Sequence, residues 1–529
     1  MKVELYDTTL RDGAQMEGMS LSVEDKLKIT RKLDELGVHF IEGGWPGSNP
    51  KDAEFFVRAQ SLNLQHARLA AFGSTRKAGG NASSDANLRA LVDARTPVVT
   101  LVGKTHDLHV REVLETSFEE NLAMIADSVR YMKEQGRSVF FDAEHFFDGF
   151  KSDAAYAKQC LRAASTAGAD RLVLCDTNGG CTTAEIVAII REVRTLTDTP
   201  LGIHTHNDAE LAVANSLAAV EQGVVQVQAC VNGYGERCGN ANLLSIIANL
   251  KLKMGVDVIS DDQLAMLTDV SHYVSEVVNL VPDPYQPYVG TSAFTHKGGL
   301  HVAAVLKNDR SYQHVPPEAV GNQRRMVVSE LGGSRGVQQK LKEVGFEHEL
   351  NRDEARVLQE LVNEQESKGY QFEGAEASFE MLVRRSRPGY LPPFELEDFW
   401  IVERRAAANA DHEREMQAEA MAKVRIDGEL RQTAAEGNGP VNALDGAVRK
   451  ALVEFFPTIF AVKLVDFKVR IIDSAAGTSA AVRVLIESSD GEHFWTTVGA
   501  STDIIEASWL ALADSLEYFL VRRAGWVPG

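Results

Sequence analysis

The first roughly 250 residues repeat one pattern eight times: a short apolar run followed by a longer stretch of helical periodicity. The runs are VELYD (3–7), HFIEGG (39–44), RLAAFG (68–73), VVTLVG (98–103), SVFFDAEH (138–145), RLVLCDT (171–177), LGIHTHND (201–208) and VVQVQACV (224–231). Several follow a glycine that ends a helical stretch and feeds the next strand, as in DELGVHFIE, ASTAGADRLVL and VEQGVVQVQ. Eight strand–helix units in this length predict an α/β fold, a (β/α)8 TIM barrel. A doubly wound open sheet is the alternative. Against it, the turn after the first strand, TLRDGAQ, lacks the G-x-G-x-x-G pattern of a dinucleotide fold.

The whole chain has 529 residues, enough for two or three domains. The expected division is a barrel over 1–280, a mainly helical linker region over 281–418 and a small C-terminal α/β domain over 419–529. VPDPYQPYVG is a proline-rich break, and EARVLQELVNEQESKGY has a helical pattern. Around 405–420 the polar, Ala- and Glu-rich AAANADHEREMQAEAMAK reads as a helix joining two domains. Beyond it, AKVRIDGEL reads as a strand and VNALDGAVRKALVEFF as a helix with Leu444, Val448, Leu452 and Phe455 on one face. Three strand-like runs follow, VDFKVRIID, SAAVRVLIESS and EHFWTTVGA. The closing helix is expected to be capped by Thr502 and to carry the apolar stripe Ile505, Trp509, Leu512, Leu516 and Phe519.

A net charge of −20 with no long basic run argues against a nucleic-acid partner, but leaves room for a local basic pocket that takes an anionic substrate. No apolar run reaches the ~18 residues of a membrane span, and the N-terminus runs straight into a strand pattern. Five cysteines at no zinc-like spacing suit a reduced, cytoplasmic protein.

In a barrel of this kind functional groups sit at the C-terminal ends of strands. Those positions hold Arg11 and Asp12 after the first strand, Glu42 after the second, and Asp142, Glu144 and His145 at the fifth. Asp176, Thr177 and Asn178 end the sixth, His204, His206, Asn207 and Asp208 end the seventh, and NGYGERCGN follows the eighth. His204 and His206, two apart in a strand, face the same way. Alone, an HTH tripeptide reads as a pair of satisfied core or surface histidines; at the end of a barrel strand it reads as a pair of metal ligands. With Asp12 as carboxylate and Asn240 as a further oxygen ligand, the set makes a divalent-metal site open to substrate. Such a site suits a 2-oxo acid, whose adjacent carboxylate and ketone oxygens chelate the ion. Arg11 then stabilises the charge that develops on oxygen, and a carboxylate such as Glu144, or a histidine, takes part in proton abstraction from a second substrate.

DTTLRDGAQ, HTHND and GERCGN, in this order, resemble the signature of the DRE-TIM metallolyase superfamily, and within it the 2-isopropylmalate, homocitrate and citramalate synthases. The resemblance spans essentially the whole chain. It implies a catalytic barrel, a linker region and a C-terminal regulatory domain, assembled as a homodimer. It implies Asp12, His204, His206 and Asn240 as ligands of a divalent metal ion (Mn²⁺, Mg²⁺, Co²⁺ or Zn²⁺), Arg11 and Glu144 as catalytic groups, and Thr177 as a binder of the oxo-acid carboxylate. FTHKGGLHVAAV and RSYQHVPPEAVGN resemble the linker segments that carry a catalytic histidine and tyrosine, here His301 and Tyr312. IEGGWPGSNPKDAEFF (41–56), with Trp45, resembles one branch of the citramalate synthases. That branch implies condensation of acetyl-CoA with pyruvate and water in isoleucine synthesis, with isoleucine as effector. Isopropylmalate or homocitrate synthesis, and a non-catalytic amino-acid sensor, are the alternatives.

Overall fold

The computed structural model describes residues 2–296, 301, 304–305, 307–326, 352–387, 389–405, 416–472 and 479–524. The chain forms two compact units, one of residues 1–294 and 314–324, the other of residues 295–313 and 325–529.

In the first unit eight parallel strands close into a barrel: β1 (Glu4–Asp7), β2 (Phe40–Gly44), β3 (Arg68–Ser74), β4 (Val98–Lys104), β5 (Ser138–Glu144), β6 (Arg171–Asp176), β7 (Leu201–Thr205) and β8 (Gln226–Ala229). Each strand coincides with one of the eight runs read from the sequence. Closure is made by β1 against β8, in the register Glu4–Gln226 to Asp7–Ala229. Tyr6, Phe40, Ala70, Val98 and Phe140 fill the barrel interior as one buried layer, with the Phe40 and Phe140 rings edge to face at 5.1 Å. Above this layer the inward positions turn polar, and there the site is built. The flanking helices are fixed by local chemistry. Val23–Leu36 starts on a Ser22/Asp25 capping box and ends at Gly37, which adopts φ 89°.

The second unit holds a short parallel pair, β9 (Thr295–His296) and β10 (Arg325–Met326), the helix Arg352–Ser367, the helix Glu376–Arg385 and two antiparallel sheets. The first sheet is β11 (Glu395–Arg405), β12 (Met416–Ile426) and β13 (Glu429–Gly437), followed by the helix Pro440–Leu452. The second is β14 (Lys463–Ile471), β15 (Val482–Ser489) and β16 (Phe494–Ser501), followed by the helix Ile504–Arg522. The β-β-β-α order therefore occurs twice. Leu444, Val448 and Leu452 pack with Ala418, Ala420, Ala422 and Val424, and Leu512, Leu516 and Phe519 pack with Val484, Ile486 and Trp495, in one core.

The structure corrects two sequence expectations. The stretch around 405–420 was expected to be helical; its residues 416–420 belong to strand β12, and 406–415 lie outside the described residues. β12 pairs with β11 on one side and β13 on the other, so the 418/419 division falls inside a strand. Ala418, Ala420, Ala422, Val424 and Ile426 are buried in strict alternation; packing overrides the helix propensity of an Ala- and Glu-rich segment. The closing helix is capped by Asp503 rather than Thr502: the Asp503 carboxylate accepts from the Ile505 and Glu506 N–H groups, at 2.7 and 3.2 Å. All five cysteines are free, and only Cys238 is exposed. Among the described residues no helix is long and apolar enough to cross a membrane.

Candidate active site and metal centre

The turn after β1 brings the first two functional groups into place. Asp7 accepts from the Thr9 N–H and hydroxyl at 3.0 and 2.7 Å, and the Thr9 hydroxyl oxygen accepts from the Val231 N–H at 2.8 Å. This ties the DTTLRDG turn to the end of β8. Arg11 then donates from Nε to Glu42 Oε1 at 2.6 Å, while the Tyr6 hydroxyl donates to Glu42 Oε2 at 2.6 Å. The Arg11 guanidinium lies 3.8 Å above the centre of the Phe72 ring. Burial would discharge this arginine, but Glu42 and Asp12 raise its pKa above the usual value.

His204 and His206 do converge, and they converge on Asp12. His204 Nε2 is 3.2 Å and His206 Nε2 3.9 Å from Asp12 Oδ2, and the two Nε2 atoms are 3.3 Å apart. These three buried residues are the one group of His, Cys, Asp or Glu side chains among the described residues whose ligand atoms lie within 4.8 Å of one another. Burial pushes the Asp12 carboxyl up, yet Arg11 and His204 hold it well below the usual carboxylate range. Burial pulls His204 down, but Asp12 outweighs it and raises the imidazole, so the spot attracts a cation.

Asn240 reaches the centre through its backbone. It bridges His206, the Asn207 N–H donates to Gly239 O at 2.9 Å, and the Ala241 N–H donates to Thr205 O at 3.0 Å. Glycine is required in this loop. A Cβ on Gly235 (φ 152°) would stand 2.2 Å from Asn240 Nδ2, and one on Gly239 (φ 88°) 2.0 Å from Gly233 O. Asn240 Nδ2 donates to Tyr234 O at 3.2 Å, but its Oδ1 is buried with no hydrogen-bond partner. Two imidazoles and a carboxylate with their ligand atoms together are the donor set a divalent metal ion uses, so Asp12, His204 and His206 fit that group; the orphaned Oδ1 of Asn240, whose backbone bridges His206, is the candidate further ligand.

These side chains open on a cavity of about 510 Å³. Arg11, Asp12, His204, His206, Glu144 and Thr177 all line it. The Thr177 hydroxyl oxygen accepts the His145 N–H at 2.9 Å, and His145 holds the left-handed φ of 55° to deliver it. Glu144 pairs with Lys104 at the end of β4. Arg237 locks the rim by donating to both Asp208 oxygens at 2.8 and 2.9 Å and to Thr177 O at 2.8 Å. Asp142 also faces the cavity, its carboxyl pushed up to about 7 by burial and Glu42. His301 and Tyr312 belong to the second unit, where their rings stack on each other at 4.2 Å.

Three contributors escaped the sequence reading. Lys104 is a charged residue at a strand end, so the rule that found Glu144 would have found it. Gln228 is a polar residue at an inward position of an apolar strand. The apolar wall of Phe72, Val102, Leu114 and Met124 carried no such signal. Trp45 lines the cavity as well. Its ring meets Phe72 edge to face at 5.6 Å, and its Nε1–H donates to Asn87 Oδ1 at 2.6 Å.

Known families and proteins match nearly the whole chain. Residues 2–274 match the HMGL-like family, 288–368 the homocitrate synthase post-HMGL domain-like family, and 373–520 the LeuA allosteric (dimerisation) domain. The (R)-citramalate synthase of Geobacter sulfurreducens is 51% identical over 98% of this chain and 97% of its own length. That of Aquifex aeolicus is 50% identical over 98% of each chain. A probable 2-isopropylmalate synthase of Methanopyrus kandleri is more distant, 34% identical over 99% of each chain. The chain belongs to the HMGL-like family and, within it, to the (R)-citramalate synthases.

Proposed function

We propose that the chain condenses the methyl carbon of acetyl-CoA with the ketone carbon of pyruvate and, with water, releases (R)-citramalate and CoA. The observation that carries this reading is the convergence of Asp12, His204, His206, Arg11 and Thr177 on one cavity with a small apolar wall. A divalent metal ion held by Asp12, His204, His206 and Asn240 would supply Lewis acidity to the 2-oxo acid. Thr177 binds the substrate carboxylate: its oxygen already accepts from His145, so its own hydrogen is free to be donated. Arg11, held charged by Glu42, stabilises the negative charge that grows on the ketone oxygen as the new bond forms.

The acetyl methyl group must lose a proton before it attacks. Glu144, with His301 and Tyr312, is the set proposed to take it, directly or through water. The methyl carbon then bonds to the ketone carbon, the ketone oxygen gains a proton, and water cleaves the thioester. Phe72 and Trp45, fixed by Arg11 on one side and Asn87 on the other, form the wall that admits a methyl substituent and crowds a longer one. The second unit serves homodimer assembly and regulation, with isoleucine as the effector of a cytoplasmic enzyme of isoleucine synthesis.

The test is CoA-thiol release from acetyl-CoA with Mn²⁺ or Mg²⁺ against pyruvate, 2-oxobutyrate, 2-oxoisovalerate and 2-oxoglutarate. Strong preference for pyruvate is expected. Preference for 2-oxoisovalerate would move the assignment to isopropylmalate, and release with none, in folded metal-replete protein, would overturn the synthase reading.

A further inference from the structure

His204 has a second ring nitrogen, and its environment is as ordered as that of the first. His204 Nδ1 lies 2.9 Å from Gln228 Oε1, and Gln228 Nε2 donates to Asp142 Oδ1 at 3.0 Å. His204, Gln228 and Asp142 are 4, 1 and 3% exposed, so water does not substitute for any of these bonds. We propose that Asp142 is a positioning residue that acts through Gln228 to fix the tautomer of His204, and thereby sets the affinity of the metal centre.

Donors and acceptors fix the order of the three groups. A carboxylate only accepts, so Asp142 requires the NH₂ side of the Gln228 amide. The amide oxygen then faces His204 Nδ1, which must carry hydrogen. In the neutral imidazole, hydrogen on Nδ1 leaves Nε2 bare, with its lone pair directed at Asp12 and His206. Reversing the amide would set its oxygen against the Asp142 carboxylate and its NH₂ against Nδ1. The ring hydrogen would move to Nε2, into the place of the metal. Burial and Glu42 push the Asp142 carboxyl up to about 7 against His204 and Arg11, so the binding test is run at about pH 8, where Asp142 is ionised and only accepts. Outer partners of this kind typically change metal affinity 10–100-fold when removed.

The test reads Mn²⁺ binding to the full-length protein by competition with a chelating indicator, without either substrate. D142N offers an NH₂ where the carboxylate accepted and permits the reversed amide; Q228L removes the relay. Each is expected to weaken Mn²⁺ binding by about 10–100-fold. The double variant D142N/Q228E restores the order of donors: the amide introduced at position 142 donates to the carboxylate introduced at position 228, which accepts from His204 Nδ1. It is expected to recover affinity to within about threefold of the parent, since the outer-partner effect then returns. A packing role alone would lower the melting temperature of the metal-free protein in all three and would not reverse in the double variant. Unchanged Mn²⁺ affinity in folded D142N, or in folded Q228L should D142N not fold, overturns the relay. So does a folded double variant that stays weak. The proposal rests on Asp12, His204 and His206 as metal ligands. Failure of the parent protein to bind Mn²⁺ would sink both readings, whereas unchanged variants sink only this one.

Discussion

The two units use opposite sheet designs, and the contrast supports the division of labour proposed for them. In the barrel all eight strands run the same way, so all their C-terminal ends arrive at one rim. Residues as far apart in sequence as Asp12, Glu144, Thr177 and His204 therefore line one cavity. In the second unit the strands of both sheets alternate in direction, so strand ends are shared between two rims and no such convergence arises. What an open antiparallel sheet offers instead is edges and faces. β14 is an edge strand, and Leu464, Phe467, Val469 and Ile471, on one face with Val465 as the bulge residue after Leu464, are 45, 36, 43 and 56% exposed. A closed parallel sheet concentrates chemistry, and an open antiparallel one presents surface to another chain.

The sharpest way to break this comparison is to remove a metal ligand. H206A or D12A is expected to lower kcat by about 10³-fold or more, because the ion's stabilisation of the growing charge is lost. Dimerisation measured by sedimentation should not change. If either variant dissociates the dimer, chemistry and assembly are not separated as argued. Next in size is the apolar wall. F72L keeps the site apolar but shortens the group beneath Arg11 and beside Trp45. The ratio of kcat/KM for 2-oxobutyrate over pyruvate should rise about 10-fold or more, the scale of one methylene in a hydrophobic pocket. An unchanged ratio would place the substrate methyl elsewhere. The converse experiment acts on the second unit. F467E puts a charge in the middle of the exposed β14 stripe and should weaken dimerisation by about 10-fold. Mn²⁺ binding should be untouched, and a dimer as tight as the parent's would exclude this face from the interface.

The same contrast explains what could be read in advance. Barrel strands are short apolar runs punctuated by glycines that end helices, and all eight are visible; the proposed metal ligands follow from the strand-end rule. Only the first half of β12 is misread, since AKVRIDGEL reads as a strand: the buried positions there, Ala418 and Ala420, carry little hydrophobic signal, and alanine favours helix in isolation. The strand's alternation becomes decisive only against the helix Pro440–Leu452. Gln228 was invisible for a different reason. Its importance lies in pairing with His204 and Asp142, 24 and 86 residues away, and sequence spacing does not report such pairs. His301 and Tyr312 were found by resemblance alone, because neither ends a barrel strand.

The smallest predicted effect concerns stability, where the two units again differ. Each buries a carboxylate whose pKa burial raises. In the second unit Asp514 is answered by Arg385 at 2.8 Å and by the Ser378 hydroxyl at 2.5 Å. In the barrel Asp7 is answered by hydrogen bonds from Thr9 and from the Val231 backbone, with Glu42 nearby, and burial pushes it up to about 7. Because the folded-state value lies above that of the unfolded chain, the native protein holds a proton on Asp7 at pH values where the unfolded chain has lost it. Stability is therefore lost as pH rises from about 4 to about 7, and the full penalty persists above that range. D7N, which cannot ionise, should raise stability on the order of 2 kcal/mol at pH 8 and much less at pH 4.5. D514N should gain less than D7N at pH 8, because it takes from Arg385 one of its two ionised partners, leaving Glu517, and this loss offsets the relief of burying Asp514. Melting temperatures of the three proteins at the two pH values decide the matter. If D7N gains equally at both, the barrel carboxylate is not the source of the pH dependence. If D514N gains as much as D7N at pH 8, the ion pair in the second unit does not offset the burial of Asp514.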